Sequence, residues 1–120
     1  MRKKLKNIGK KNMKVNKLNK ILENEIIPGF LGKFIHGDKM SLAFWNVKKN
    51  STVPLHNHLH EQCLYVKKGV FELTIESKKK VLKENEVIII PSNIKHSGKA
   101  LTECELIDVF TPAREEYKNK

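Results

Sequence analysis

A succession of short apolar segments, each ended by turn residues, runs through the sequence from about residue 21 onward. Turn residues cluster at Lys48–Ser51, Lys68–Gly69 and Glu84–Glu86, and the segments between them have the length of β-strands. Helix is plausible only within residues 14–24 and at the extreme C-terminus. Many short strands with no long helix predict an all-β fold, an antiparallel sandwich or barrel.

Some of these segments carry more detailed predictions. Val87–Ile90 is a continuous apolar run, which predicts a strand that is buried on both faces. Pro54 has no main-chain N–H, so residues 52–56 are predicted to begin a strand or to lie at a sheet edge. Residues 104–110 are the last clear strand, and the polar residues 113–120 are expected to form a short terminal helix.

The positive charge of the chain is concentrated at its N-terminus. The formal net charge is +11, but residues 1–20 contain nine Lys and Arg residues and no acid. Residues 21–120 carry 15 basic and 13 acidic side chains, a net charge of only +2. A nearly balanced domain argues against nucleic-acid binding as the main function. We expect residues 1–20 to be a basic extension, disordered or partly helical; contact of this arm with RNA or anionic lipid is the alternative.

The length of the chain, 120 residues, is that of one domain. We expect this domain to span residues 21–115 and to be followed by a tail, 116–120. Residues 1–12 are rich in Lys and Asn and show no amphipathic pattern, so Met13 is an alternative natural start.

The sequence also bears on the compartment. It contains no run of about 18 apolar residues, so no membrane span is expected, and no apolar stretch of a secretory signal follows the basic N-terminus. The two cysteines, Cys63 and Cys104, lie singly in strand-like segments and not in a CxxC pair. We therefore expect two reduced core thiols and a cytoplasmic protein.

Two histidines, His56 and His58, stand two residues apart in a segment that is predicted to be extended. Side chains at i and i+2 of a strand point to the same face, so both imidazoles can reach one ion. Gln62 follows with a neutral amide oxygen at the head of the next strand, and His96 begins a later strand. Three imidazoles and one oxygen predict a site for one divalent metal ion (Zn, Ni, Mn or Fe) with positions left for water.

The spacing of these residues resembles the two motifs of the cupin superfamily. The matching residues are His56, His58, Gln62 and Gly69 in the first motif, and Pro91 and His96 in the second. Asn50, Asn85 and Asn93 stand where the motifs have glycine, and Asn tolerates the left-handed conformation that such turns need. The resemblance implies a small single-domain cupin, an antiparallel jelly-roll barrel that holds one metal ion.

Gln62 departs from the cupin motif, which has Glu at this position. Its neutrality leaves the charge of the ion less compensated, which favours an anionic ligand. If the strand register slipped, His60 or Glu61 would replace Gln62, although only Gln62 fits the step to Gly69. We expect His36 and His60 at the surface or the rim.

The last predicted strand places Leu106, Asp108 and Phe110 on one face. An acid between two large apolar residues is costly to bury unless it is paired or used. Arg114 follows four residues after Phe110. Two interpretations stay open: a structural ion pair between Asp108 and Arg114, or an acid–base Asp108 beside a carboxylate-binding Arg114.

This second cluster resembles that of the small cupins of pectin and alginate degradation, which convert unsaturated monouronates into linear keto sugars. The residues that carry the resemblance are His56, His58, Gln62, His96, Asp108, Phe110 and Arg114. The resemblance implies that Asp108 moves a proton during ring opening, that Arg114 binds the substrate carboxylate, and that Phe110 shapes the pocket. Two other functions stay open: non-catalytic binding of a sugar or organic acid, and a metal-dependent oxygenase.

The cupin resemblance further implies a homodimer, which would need an apolar face. Aromatic residues that could supply it are Phe30, Phe34, Phe44 and Trp45. Packing in the core explains these side chains equally well, so the sequence leaves the two roles open.

Overall fold

The structure is a computed structural model that describes residues 13–118. Residues 1–12, which make up most of the predicted basic extension, lie outside the described residues, as do residues 119–120. Two short 3-10 helices, Leu18–Lys20 and Glu115–Tyr117, lie in the two regions where helix was plausible. In the described part of the chain, no helix combines the length and apolarity that a membrane crossing requires.

Ten β-strands account for most of the described chain. They are β1 (Asn24–Ile27), β2 (Phe30–His36), β3 (Ser41–Val47), β4 (Thr52–His56), β5 (Glu61–Lys68), β6 (Phe71–Ile75), β7 (Lys78–Leu82), β8 (Val87–Ile90), β9 (His96–Ala100) and β10 (Cys104–Thr111). They form a six-stranded sheet in the order β1-β2-β3-β10-β5-β8 and a four-stranded sheet in the order β4-β9-β6-β7. All the pairings are antiparallel, which confirms the predicted fold class.

The core lies between the inner faces of the two sheets. Buried side chains alternate with less buried ones along β3 and β10, as expected of strands with one face on a core. Its members include Phe30, Trp45, Val66, Phe71, Leu73, Leu106 and Phe110. Strand β10 lies between β3 and β5, with Asp108 opposite Ala43 on one side and Leu64 on the other. The alternation therefore holds Asp108 inside, as predicted.

The turns are made by residues in the left-handed conformation. Asn50, Asn85 and Asn93 have φ values of 71°, 65° and 63°, which confirms that asparagine replaces glycine at these turns. Gly69 has a φ of 92°, and a Cβ there would collide with the carbonyl oxygen of Glu103. Asn is tolerated at three of the motif positions because each is an open turn, whereas Gly69 is also sterically confined.

The prediction for Val87–Ile90 was wrong in one respect. The segment is strand β8, but Val87 and Ile89 are 58% and 54% exposed. Strand β8 is the edge of the six-stranded sheet, and its second face looks outward. Pro54 lies in β4, an edge strand of the other sheet, as its missing N–H predicted.

Both cysteines are free thiols, with Cys104 buried and Cys63 only partly so. Cys63 lies on the outer face of β5, so it is not the core thiol that was expected. Burial raises the pKa of both thiols.

Candidate metal and acid–base site

Three histidines meet at one end of the barrel. His56 ends β4 and His96 begins β9, and the two residues face each other in the strand pairing. His58 lies in the loop that follows β4. The centroids of the three rings are 4.3–5.5 Å apart, and one ligand atom from each ring can be chosen so that all three lie within 4.8 Å of one another.

Hydrogen bonds to the main chain fix the orientation and tautomer of each ring. In every case Nδ1 lies 2.8–2.9 Å from a carbonyl oxygen. The carbonyls are those of Pro54 for His56, of His60 for His58 and of Ile94 for His96. A carbonyl only accepts hydrogen bonds, so each Nδ1 carries the proton and each Nε2 keeps a free lone pair. This is the arrangement that metal-binding histidines use.

Two of the free lone pairs lack a hydrogen-bond donor among residues 13–118. Nε2 of His96 is buried and has no hydrogen-bond partner in that part of the chain. Nε2 of His58 lies 3.2 Å from Oε1 of Gln62, and both atoms are acceptors. A cation bound by both acceptors would remove the repulsion between their lone pairs. A divalent ion held by the three Nε2 atoms and the Gln62 oxygen therefore fits the donor set.

Gln62 connects the histidines to Asp108. Its amide Nε2 donates to Oδ1 of Asp108 at 2.9 Å, which turns Oε1 toward His58. The indole of Trp45 donates to Oδ2 of Asp108 at 3.0 Å. Burial raises the pKa of Asp108 to about 6, although the two donors and the charge of Arg114 act in the opposite direction. Asp108 can therefore exchange a proton near neutral pH.

Arg114 does not form the ion pair with Asp108 that the sequence left open. Among the described residues, its partner is Glu116, whose Oε2 accepts from Nη2 at 2.8 Å. The guanidinium packs against two rings, 4.6 Å from the centroid of Phe110 and 4.5 Å from that of Tyr117. Its Nε is buried and finds no hydrogen-bond partner within residues 13–118. The main-chain N–H of Arg114 donates to Oγ of Ser41 at 2.8 Å.

These groups line one cavity of about 280 Å³ inside the barrel. The polar residues of its wall are His56, Gln62, His96, Ser97, Asp108 and Arg114. The remaining wall is aromatic and aliphatic, and includes Trp45, Phe71, Leu73, Phe110 and Tyr117. The cavity can hold a ligand of the size of a monosaccharide and offers it both polar and apolar contacts.

A model of the family described as "cupin domain" matches residues 43–110. The chain belongs to the cupin family. It is similar to the pectin degradation protein KdgF of Dickeya dadantii (strain 3937), with 38% identity over 82 residues, which are 67% of this chain and 74% of that protein.

Two solved structures show the same cupin fold. KdgF from Halomonas sp. has a TM-score of 0.81 and 24% identity, over 86% of this chain and 98% of the other. An RmlC-like cupin from Shewanella frigidimarina NCIMB 400 also has a TM-score of 0.81 and 24% identity, over 85% and 93% of the two chains. The predicted jelly-roll barrel is thereby confirmed.

Burial favours the neutral form of two of these histidines, His58 and His96. Burial lowers the pKa of His58 to about 4, and the charge of Arg114 acts in the same direction. Burial also lowers the pKa of His96. Neutral imidazole is the form that binds a metal ion, so the site is prepared for one at ordinary pH.

The structure brings together all seven predicted site residues. Six of them line the cavity, with Phe110 as part of its apolar wall, and the seventh, His58, faces Gln62 beside it. Gln62 is buried, whereas Glu61 is exposed on the opposite face of β5. His36 is half-buried, and its Nδ1 lies 2.7 Å from Oγ of Ser41.

The prediction that His60 lies at the surface or the rim was wrong. His60 is only 8% exposed, and its ring lies edge-on to Phe110. His60 continues the series of positions 56, 58 and 62, which are two residues apart or a multiple of two. This alternation was the signal in the sequence that could have predicted a buried side chain. Trp45, Glu116 and Tyr117 were not anticipated at the site. Trp45 had been noted only as an aromatic residue, and nothing in the sequence near Tyr117 signals its contact with Arg114.

Proposed function

We propose that this cupin binds one divalent metal ion through His56, His58, Gln62 and His96, and that it converts unsaturated monouronates into linear keto sugars. The observation that carries the proposal is the connection through Gln62, which contacts His58 with one end of its amide and Asp108 with the other. This connection sets an acid–base group one hydrogen bond from Gln62, which is itself a proposed metal ligand. The similarity to a pectin degradation protein supports a substrate of this class.

Asp108 is the residue proposed to move the proton. A bound metal ion would supply Lewis-acid polarisation of a substrate oxygen. Asp108 accepts the proton of the anomeric hydroxyl as the bond between C1 and the ring oxygen breaks. The carboxylic acid so formed returns that proton to C4, as the enolate at C5 becomes a ketone. The substrate is thus isomerised with no other reactant, and the raised pKa of Asp108 suits both transfers.

Arg114 and the aromatic wall are proposed to position the substrate. The buried Nε of Arg114 is available to a carboxylate at the cavity wall. The ring of Phe110 lies against the guanidinium and gives the sugar an apolar surface. This wall also excludes water, which strengthens the interaction between Arg114 and an anion.

The activity is tested with an unsaturated monouronate, whose conjugated double bond gives an ultraviolet absorbance that disappears on conversion. The expected result is loss of absorbance above the rate in buffer alone, with the linear ketone seen by NMR. Asp108→Asn should lower kcat by about 100-fold or more, since a positioned acid–base group contributes about that much. Glu105→Gln, an acid-to-amide change on the opposite face of β10, is the control. Unchanged turnover in Asp108→Asn would exclude the acid–base role, and oxygen uptake by the Fe(II)-loaded protein would favour an oxygenase.

The metal site is tested by elemental analysis after dialysis. The double variant His56→Ala/His58→Ala should lose the metal, because it removes two of the proposed ligands. His60→Ala is the matched control, because His60 makes its hydrogen bond to His58 through the main-chain carbonyl, which the substitution keeps. Retention of metal by the double variant would refute the site.

We also propose that two copies pair through the outer face of the six-stranded sheet. Two rows of partly exposed side chains cross this face, as the strand pairings show: Lys33, Phe44, Ile107, Tyr65 and Val87 in one row, and Ile35, Leu42, Val109, Cys63 and Ile89 in the other. Only one of these ten residues is charged. Of the four aromatic residues considered for a dimer face, Phe44 alone lies here; Phe30 and Trp45 are buried, and Phe34 packs against the core.

Five strands at the usual spacing of about 4.8 Å give this face a width of roughly 20 Å, enough for the apolar centre of a standard interface. Light scattering should give the mass of a dimer, and Ile107→Lys should give a monomer in which Cys63 reacts faster with a thiol reagent. A monomeric wild-type protein would refute the pairing.

We also propose a cytoplasmic location, which the free thiols of Cys63 and Cys104 support.

A further inference from the structure

The carboxylate of Glu116 occupies part of the anion-binding edge of Arg114. A carboxylate ligand binds an arginine most strongly when two N–H groups point at its two oxygens. Nε of Arg114 is buried and has no hydrogen-bond partner in the described part of the chain, and the neighbouring Nη2 is taken by Oε2 of Glu116 at 2.8 Å. Two-pronged binding of a ligand through Nε and Nη2 therefore requires Glu116 to give up its position.

Arg114 keeps its place without help from Glu116. Its guanidinium packs against the rings of both Phe110 and Tyr117, and its main-chain N–H is held by the hydroxyl of Ser41. Ser41 is only 1% exposed. Tyr117 is in turn held against Phe34, with ring centroids 4.7 Å apart. Removal of the Glu116 carboxylate therefore leaves the arginine oriented toward the cavity.

Glu116 itself is free to move. Its side chain is 53% exposed, whereas that of Arg114 is 10% exposed. The carboxylate can turn into water at modest cost, because its own side of this partly exposed ion pair faces solvent. The preceding residue, Glu115, has a side chain that is 77% exposed and pairs with Lys118 instead.

We propose that Glu116 is an internal competitor for the carboxylate site of Arg114, and that a bound substrate displaces it. Glu116 thereby lowers the affinity of the cavity for carboxylates. Anions that bind through the carboxylate alone are excluded, and a ligand with further contacts in the cavity is favoured. The inference rests on the proposed role of Arg114 as the carboxylate-binding residue, but it concerns the affinity of that residue and not the reaction.

The test is a titration of the protein, as purified, with galacturonate, followed by the fluorescence of Trp45, the single tryptophan of the chain. Trp45 lines the cavity, and its ring centroid lies 6.1 Å from that of Tyr117. Glu116→Gln should bind galacturonate about fivefold more tightly than the wild type, the scale expected of a partly exposed ion pair. Glu116→Asp keeps the charge but shortens the side chain by one methylene, and should also bind more tightly. Glu115→Gln and, as ligand, the methyl ester of galacturonate should show no change.

Each other outcome has a definite meaning. If Glu116→Gln binds galacturonate as the wild type does, or more weakly, the inference is overturned. It is also overturned if Glu116→Gln binds galacturonate more tightly but Glu116→Asp does not, because the gain would then come from the change in net charge alone. Acetate is the second probe. If galacturonate does not bind any variant but acetate binds Glu116→Gln more tightly, the inference holds and the proposed substrate class fails. If neither anion binds Glu116→Gln more tightly, the inference fails.

Discussion

Asp108 is expected to make the folded protein more stable as the pH falls, which is the opposite of what a salt-bridged carboxylate does. Its pKa is about 6 in the folded protein, against an ordinary value of 3.8. Between these values the folded chain holds a proton that the unfolded chain has lost, so stability rises as the pH falls through this window and is lost as the pH rises through 6. At 1.36 kcal/mol per pKa unit, the full change is about 3 kcal/mol, of which about 2 kcal/mol is gained by pH 4.5.

The variant Asp108→Asn isolates this contribution. The depressed pKa values of His58 and His96 act in the opposite direction, since stability that they supply above pH 6.5 is lost as the pH falls. These histidines remain in the variant, so their effect cancels in the difference between the two proteins. The free energy of unfolding of the wild type minus that of Asp108→Asn should rise by about 2 kcal/mol between pH 7.5 and pH 4.5.

The assay is urea unfolding of chelator-treated protein, followed by circular dichroism at several pH values. The difference in the free energy of unfolding should also contain a pH-independent offset of about 1 kcal/mol, because the amide introduced by Asp108→Asn loses one hydrogen bond, to Trp45 or to Gln62. The test is therefore how this difference changes with pH. Glu105→Gln, on the exposed face of the same strand, controls for the change from acid to amide. A flat difference, or one that falls on acidification, would show that Asp108 is an ordinary or ion-paired carboxylate and would refute the reasoning.

Three further results are expected. Gly69→Ala should lower the free energy of unfolding by about 3 kcal/mol in urea, because of its left-handed φ and the collision with Glu103, whereas Gly37→Ala should change it by less than about 1 kcal/mol. Trp45→Phe should cost about 2 kcal/mol at pH 7.5, since the ionised Asp108 loses a donor, and less at pH 4.5; equal costs would contradict this. A divalent ion at 100 times its Kd should stabilise the chelator-treated protein by about 2.7 kcal/mol in the same assay, and no stabilisation would argue against a metal site.

The strand pattern of this fold could be predicted because short-range chemistry decides it. Asparagine at 50, 85 and 93 permits left-handed turns, and alternation sets which side of β10 faces the core. The error at β8 has a physical reason. A continuous apolar run shows that a strand has two apolar faces, but not whether a second layer covers both of them.

The residues of the site could be predicted where they lie close together in the sequence, so that strand alternation sets their directions. Contacts between distant segments could not be predicted. His56, His58 and Gln62 follow from alternation along neighbouring segments. The hydrogen bond from Trp45 to Asp108 joins residues 63 positions apart. Tyr117 reaches Arg114 only because the C-terminal segment folds back over the barrel in a 3-10 turn. No local pattern in the sequence encodes such a contact.

The buried acid at position 108 explains why position 62 has a neutral residue. Nε2 of Gln62 donates to Oδ1 of Asp108 at 2.9 Å in a buried setting. The Glu that the cupin motif has at this position would place a second carboxylate against the first, and the pair would have to share a proton. We therefore expect Gln62→Glu to lower the free energy of unfolding by about 3 kcal/mol at pH 7.5, with recovery toward pH 5.

The double variant Gln62→Glu/Asp108→Asn should regain most of this loss at pH 7.5. It reverses the pair, because the amide introduced at position 108 can donate to the carboxylate introduced at position 62, so the coupling energy in a double-mutant cycle should be favourable. Metal content should also be retained, since a carboxylate oxygen replaces an amide oxygen as ligand. Turnover of the unsaturated uronate should not return, because the residue at position 108 can no longer hold a proton. A double variant as unstable as Gln62→Glu alone would show that charge at position 62 is excluded for a reason other than Asp108.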